Sequence, residues 1–268
     1  MNMTVSIAQM DVAAADPEAN LKKGEAWIAE AARRGSHVIC MPELWTTGFD
    51  WAENSRLAAD HERVTERIGG LADRYRIWIG GSVLALDDDG RPANTFLLFD
   101  DRGRVAGRYG KIHLFGLIHE DEHLAPGKAL CTVETPWGTV GLSLCYDIRF
   151  PELFRSYALR GARVIFTSAA FPAARRRHWR TLLRARAIEN QLYMIGVNQT
   201  GGEELGADGT ILYGGCSAII DPWGETVVEA GQAAECLLTA TIDLGRVDEI
   251  RSRIKVLQDR RPDLYERG

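Results

Sequence analysis

Apolar and polar positions along this chain switch between two periods. Residues 4–10 alternate and predict a strand. Over residues 17–34, Leu21, Trp27, Ile28 and Ala31 form one apolar stripe, which predicts a helix entered through Pro17 after Asp16 and ended by Gly35. A short buried strand is expected at 37–41, a helix at 61–75 with Leu71 on its inner face, and strands at 77–86, 95–99 and 104–109. Asp88-Asp89-Gly90 and Asp101-Arg102-Gly103 read as hairpin turns between these last three. The second half repeats the rhythm without repeating the sequence. It predicts a strand at 139–144, a helix at 151–160, a strand at 164–168, a long helix at 176–191 and a strand at 193–198. Strand-like segments then surround Ile211, Ile219 and Val227, followed by a strand at 237–242 and a helix near 244–253. Alternating strands and helices point to the α/β class, and the hairpins in both halves require mixed sheets. No repeat or linker divides the chain, so one domain is expected over 1–268, with a polar tail from about Lys255 that holds Pro262 and packs on something else.

Composition narrows the function. The 268 residues are 46% hydrophobic and 26% charged, which excludes a disordered or low-complexity chain. With 32 basic and 37 acidic residues the net charge is −5, so no global field recruits nucleic acid or an anionic membrane. No apolar run approaches the ~18 residues of a membrane span. The first residues lack the basic and apolar regions of a secretory signal. Cys40, Cys131, Cys145, Cys216 and Cys236 are odd in number and scattered, which argues against a disulfide framework and for a cytoplasmic home.

Five segments carry candidate chemistry, each with a plainer reading beside it. Cys145 ends a strand shortly before a helix opens at Pro151 and Glu152, a corner where backbone N–H groups favour a thiolate; a free cysteine is also an ordinary small core residue. Glu43 follows a buried strand among Leu44, Trp45 and Phe49, where desolvation suits a general base, but an exposed loop carboxylate fits too. Lys111, set in Tyr-Gly-Lys-Ile-His-Leu-Phe, reads either as a cation for an oxyanion or as a snorkelling surface lysine. His119-Glu120-Asp121-Glu122-His123 matches the zinc-hydrolase pattern H-E-x-x-H, but Gly116 and Pro126-Gly127 leave room for only a short helix, which favours a chance match. The basic cluster 175–180 reads as a solvated helix start or a carboxylate-capturing patch.

Taken in order, these segments are specific. Pro-Glu-Leu-Trp-Thr-Thr-Gly-Phe (42–49), Gly-Lys-Ile-His-Leu-Phe (110–115) and Leu-Cys-Tyr-Asp-Ile-Arg-Phe-Pro-Glu (144–152) resemble the nitrilase superfamily of carbon–nitrogen hydrolases. Ala-Arg-Ala-Ile-Glu-Asn-Gln (185–191), Asp-Pro-Trp-Gly-Glu (221–225) and the Asp-Arg-Arg-Pro tail (259–262) extend the match toward the ω-amidase-like branch. The resemblance implies a four-layer α-β-β-α sandwich with mixed sheets. It implies Cys145 as nucleophile, Glu43 as general base, Lys111 as oxyanion cation and the backbone N–H of Tyr146 as an oxyanion donor, with Glu120, by its offset from Leu124 and Gly127, as the additional glutamate in preference to Glu122. It implies a small aliphatic amide as substrate, no metal or organic cofactor, and a homodimer or higher homo-oligomer. Gly116 stands where the branch often has arginine, and Phe171-Pro172-Ala173-Ala174 precedes three arginines at the pocket border. Phe171 is therefore expected at the substrate, with Arg175 or Arg176 meeting its carboxylate. An N-carbamoyl amine hydrolase or nitrilase, a zinc hydrolase through His119 and His123, and a catalytically silent binding protein are the competing readings.

Overall fold

The computed structural model describes residues 1–204 and 209–265. In chain order its elements are β1 (Asn2–Gln9), α1 (Pro17–Arg33), β2 (Val38–Cys40), α2 (Trp51–Ala59), α3 (His61–Tyr75), β3 (Trp78–Leu86), β4 (Pro92–Phe99) and β5 (Val105–Gly110). Then come α4 (Glu120–His123), β6 (Thr132–Thr135), β7 (Gly138–Leu144), α5 (Pro151–Leu159), β8 (Val164–Ala169), α6 (Arg176–Asn190) and β9 (Tyr193–Asn198). The chain finishes with β10 (Gly202–Glu204), β11 (Thr210–Leu212), β12 (Ala218–Ile220), β13 (Thr226–Glu229), β14 (Cys236–Asp243), α7 (Gly245–Arg253) and α8 (Pro262–Tyr265).

Two six-stranded sheets form, in the orders β14-β1-β2-β3-β4-β5 and β13-β12-β9-β8-β7-β6. Each is mixed: β1, β2 and β3 run parallel in one and β7, β8 and β9 in the other, with antiparallel strands on both flanks. The strand period of two sorts the side chains by face. Val38 and Cys40 of β2 and Phe96 and Leu98 of β4 join Val140, Leu142, Val164 and Phe166 in the layer between the sheets. Their neighbours Ile39, Leu97 and Phe99 turn the other way, onto Leu21 and Ile28 of α1 and Val64, Ile68 and Ala72 of α3. On the far side α5 and α6 cover the second sheet through Phe154, Tyr157, Trp179 and Leu183. The result is the expected α-β-β-α stack. Each large apolar side chain so buried contributes about 1.5–3 kcal/mol, which makes this layering the main source of stability.

The structure adds elements that the periodicity hid. Helix α2 is opened by Asp50, whose side chain accepts from the Glu53 amide at 3.1 Å. Strands β6 and β10 are only four and three residues long, and β10 begins at Gly202. The strand-to-helix corner after β7 contains one 3₁₀ turn, Cys145–Arg149, before α5 begins at Pro151. Residues 266–268 of the tail lie outside the described residues.

Candidate active site

The parallel strands β2, β7 and β8 end at the same edge of the sandwich, the usual place for a site in α/β sheets. Glu43 comes from the loop after β2, Cys145 follows β7, and Ala170 follows β8. Lys111 follows β5 on the first sheet, and Glu120 opens α4. The side chains of Glu43, Cys145, Lys111 and Glu120 are all buried: Glu43 and Glu120 are wholly shielded from solvent, and Lys111 is 1% exposed.

Lys111 binds the two carboxylates together. Its Nζ donates to Glu43 Oε1 at 2.8 Å and to Glu120 Oε1 and Oε2 at 2.8 and 2.6 Å. Asn94 Nδ2 donates to Glu43 Oε1 at 2.8 Å and to Glu120 Oε1 at 3.3 Å. The second oxygen of Glu43 accepts from the Ala170 amide at 2.9 Å, and the second of Glu120 from the Phe115 amide at 2.7 Å. Burial alone would pull the Lys111 ammonium down, but the Glu120 and Glu43 charges outweigh it and hold the lysine above its ordinary value. Burial pushes Glu120 up, opposed by Lys111.

Cys145 sits against this cluster. Burial first, and the Glu43 charge second, push its thiol well above the ordinary range, while Lys111 and the Ala170 amide pull the other way. Cys145 is therefore held as a thiol beside the Glu43 carboxylate. Its backbone is strained, at φ +39°, as is Leu44 beside Glu43 at φ +40°. A non-glycine residue in that region costs about 1–3 kcal/mol and persists only where its surroundings enforce it. Asp147 does the enforcing at Cys145. Buried in the 3₁₀ turn, it accepts from the Leu144 amide at 2.9 Å, the Tyr109 hydroxyl at 2.8 Å, and the His113 amide and Nδ1 at 3.2 and 2.7 Å. One carboxylate thus fixes the turn at Cys145 to the strand that delivers Lys111.

The cluster opens into a pocket with about 450 Å³ of empty space. Phe49, Phe115, Ile118, Phe171 and Ile211 give it apolar walls, with Tyr146 and Tyr213. Two arginines complete it. The Arg149 guanidinium lies 5.9 Å from the Tyr146 ring centre and 5.4 Å from that of Phe171, and Arg175 lies 5.4 Å from that of Phe115. Neither has a carboxylate partner among the described residues. Arg176 does not line the pocket; its Nε donates to the Gly214 carbonyl at 2.9 Å.

Of the residues expected from sequence, Glu43, Lys111, Cys145, Tyr146, Phe171 and Arg175 line one pocket, and Glu120 stands directly behind Lys111. The H-E-x-x-H segment is taken apart by the fold. Glu120 points inward, His119 adopts a left-handed backbone with Nδ1 2.8 Å from Glu122 Oε1, and the His123 ring stacks on Trp51 at 4.9 Å. The two histidines are thus engaged separately and the central glutamate is held by a lysine, which does not fit the zinc reading. Sequence reasoning missed Arg149, four positions after Cys145, and Asn94, which no local signal marks.

The carbon-nitrogen hydrolase profile matches residues 4–252. The 2-oxoglutaramate amidase of Bacillus subtilis is 36% identical over 266 residues, covering 99% of this chain and all of that protein. The omega-amidase NIT2 of Mus musculus is 33% identical, covering 92% of this chain and 91% of its own. Among solved structures, a carbon-nitrogen hydrolase from Helicobacter pylori G27 superposes with a TM-score of 0.93 at 24% identity, over 99% and 98% of the two chains. A mutant of the amidase from Nesterenkonia sp. AN1, with acrylamide added at its active site cysteine, gives 0.87 at 25% identity over 98% of each chain. A family match that spans both sheets and every residue of the buried cluster leaves one assignment: this chain belongs to the carbon-nitrogen hydrolase family.

Proposed function

We propose that the protein hydrolyses the terminal amide of a small carboxylate-bearing compound, an ω-amide of a carboxylic or 2-oxo acid, to the acid and ammonia. The observation that carries this reading is a buried thiol set beside a carboxylate and a fixed cation, in a pocket whose two arginines have no carboxylate of their own among the described residues. The names of the relatives, 2-oxoglutaramate amidase and omega-amidase, support the same substrate class.

The chemistry follows from the protonation states. Glu43 takes the proton of the Cys145 thiol as sulfur attacks the amide carbon, so no free thiolate need accumulate. Negative charge gathers on the carbonyl oxygen, where Lys111 and the Tyr146 N–H meet it; one such donor is worth about 3 kcal/mol in the transition state. Glu43 returns its proton to the departing nitrogen, ammonia leaves, and a thioester remains. Water activated by Glu43 then frees the acid and restores the thiol. Glu120 serves by holding Lys111 in place. Glu43, Glu120 and Lys111 sum to a charge of −1, and Arg149 and Arg175 turn the pocket to +1, which favours an anionic substrate. The carboxylate falls to Arg149 and Arg175, with Phe171 packing on the substrate's carbon chain.

The test is ammonia release from 2-oxoglutaramate, succinamate and neutral amides, with an N-carbamoyl amine and a nitrile alongside, by wild type and Cys145→Ala. Release confined to wild type and to the amides supports the reading. Cys145-independent release, or exclusive use of the carbamoyl compound or nitrile, overturns it. We also propose a cytoplasmic homodimer made of one cooperative domain per chain. All five cysteines are free, and Leu159 of α5 and Ile188 of α6 are exposed on one outer layer. A monomeric mass in light scattering, or two unfolding transitions, would contradict it.

A further inference from the structure

A second buried carboxylate lies outside the reacting cluster. Glu203 of β10 is 4% exposed and forms no ion pair among the described residues. Its Oε1 accepts from the Phe49 amide at 2.5 Å and its Oε2 from the Tyr213 hydroxyl at 2.7 Å. Phe49 and Tyr213 both line the pocket. Across the β10–β11 hairpin Glu203 pairs with Ile211, a third lining residue. The carboxylate also fills the space beside Gly48, whose φ is +65° and where a Cβ would stand 2.5 Å from Oε1. Glycine is required there by both conformation and room.

Burying a carboxylate without a cation is costly, and an apolar side chain would fill the same volume at less cost. What only a double acceptor supplies is a simultaneous hold on two donors, and here the two donors belong to separate pocket walls. The hold extends further. The Phe49 ring packs edge-on against Trp51 at 5.6 Å, and Trp51 Nε1 donates to the Ile118 carbonyl at 2.9 Å. Trp51 also carries the His123 stack, at the end of the helix that Glu120 begins.

We infer that Glu203 is a positioning residue that sets the width of the substrate pocket by pinning the Phe49 and Tyr213 walls to one carboxylate. It touches neither the thiol nor the cluster around Lys111, so it acts on the fit of the substrate's chain and not on bond making. The inference rests on reading this pocket as the amide site.

The test compares Glu203→Ala, Glu203→Gln and Tyr213→Phe. In the alanine variant KM for 2-oxoglutaramate should rise at least about tenfold, with kcat and the kcat/KM for formamide within about threefold of wild type. The rate of Cys145 alkylation by iodoacetamide should hold as well. Glutamine should restore KM, since its carbonyl still accepts from Phe49 and the Tyr213 hydroxyl can turn to accept from its amide. Tyr213→Phe should show a smaller rise in KM of the same kind. An unchanged KM in folded Glu203→Ala, an equal loss on formamide, or a glutamine variant as impaired as alanine overturns the inference. If Glu203→Ala does not fold, an unchanged KM in Tyr213→Phe overturns it instead. If wild type hydrolyses no amide, the functional reading fails separately. The inference is then judged by the alkylation ratio of iodoacetamide to bulkier N-ethylmaleimide, which should fall in Glu203→Ala and stay near wild type in Glu203→Gln; an unchanged ratio in Glu203→Ala overturns the inference.

Discussion

The reacting centre and the pocket mouth handle charge in opposite ways. At the centre, every charge is answered from within: Lys111 meets both Glu43 and Glu120, and each remaining carboxylate oxygen takes a backbone amide. At the mouth, Arg149 and Arg175 rest on aromatic faces with no carboxylate partner among the described residues. A closed network is rigid and suits one unchanging reaction. Cations left without a counter-charge suit the recognition of a partner that arrives and leaves. On the proposed function, chemistry and selection thus fall to separate sets of residues.

The comparison breaks most violently at the centre. Glu43→Gln removes the proposed base and should lower kcat by about 10²–10⁴-fold. It also removes the negative charge that helps hold the Cys145 thiol high, leaving Lys111 to pull it down. The pH profile of Cys145 alkylation should therefore move to lower pH while turnover disappears. A profile unmoved or shifted upward would show that Glu43 does not face the thiol.

Next comes Lys111→Met, which leaves Glu43 and Glu120 buried together. Breaking a buried pair in this way typically costs about 3–5 kcal/mol. The sign of its pH dependence is fixed. Glu120 already lies above its ordinary value of 4.5, and Lys111 is the main influence lowering it. Without Lys111 the folded state grips a proton that the unfolded chain releases, so the deficit should be small at acid pH and widen as pH rises past 4.5. Chemical denaturation at several pH values measures it; a deficit that shrinks with rising pH would deny the network.

Changes at the mouth should be gentler and selective. Arg149→Met should raise KM for an anionic amide by about tenfold or somewhat more, the worth of one hydrogen bond to a charged group. A neutral amide of the same length should be affected far less. Arg176→Met marks the lower end of the scale: bonded to the Gly214 carbonyl and outside the pocket wall, it should change KM for either substrate by less than about threefold. A large selective effect there would place the carboxylate elsewhere.

The same division governs what the sequence discloses. Strands that bury both faces, such as 164–168, and helices with a full apolar stripe, such as 17–34, are legible because their period reports a local geometry. Cys145, Glu43 and Lys111 each follow a strand inside a recognisable segment, and Glu120 follows from its offset. Helix α2 escapes because it is short and mostly polar, although Asp50 and Glu53 spell an N-cap. Strand β10 escapes because it is three residues long and begins with glycine. The mouth is less legible for a deeper reason. Arg149 earns its place by lying over Phe171, 22 positions away, and Glu203 by reaching Phe49, 154 positions away. Arg175 and Arg176 are adjacent in sequence, and only the turn into α6 decides that one lines the pocket and the other does not.

The most direct test of this separation is kcat/KM for 2-oxoglutaramate and for a neutral amide of matched length, in wild type and in Arg149→Met/Arg175→Met. The account predicts a strong wild-type preference for the anion that collapses toward unity in the double variant, while the neutral amide keeps its wild-type rate. A preference that survives both substitutions, or a loss shared equally by both substrates, would contradict it.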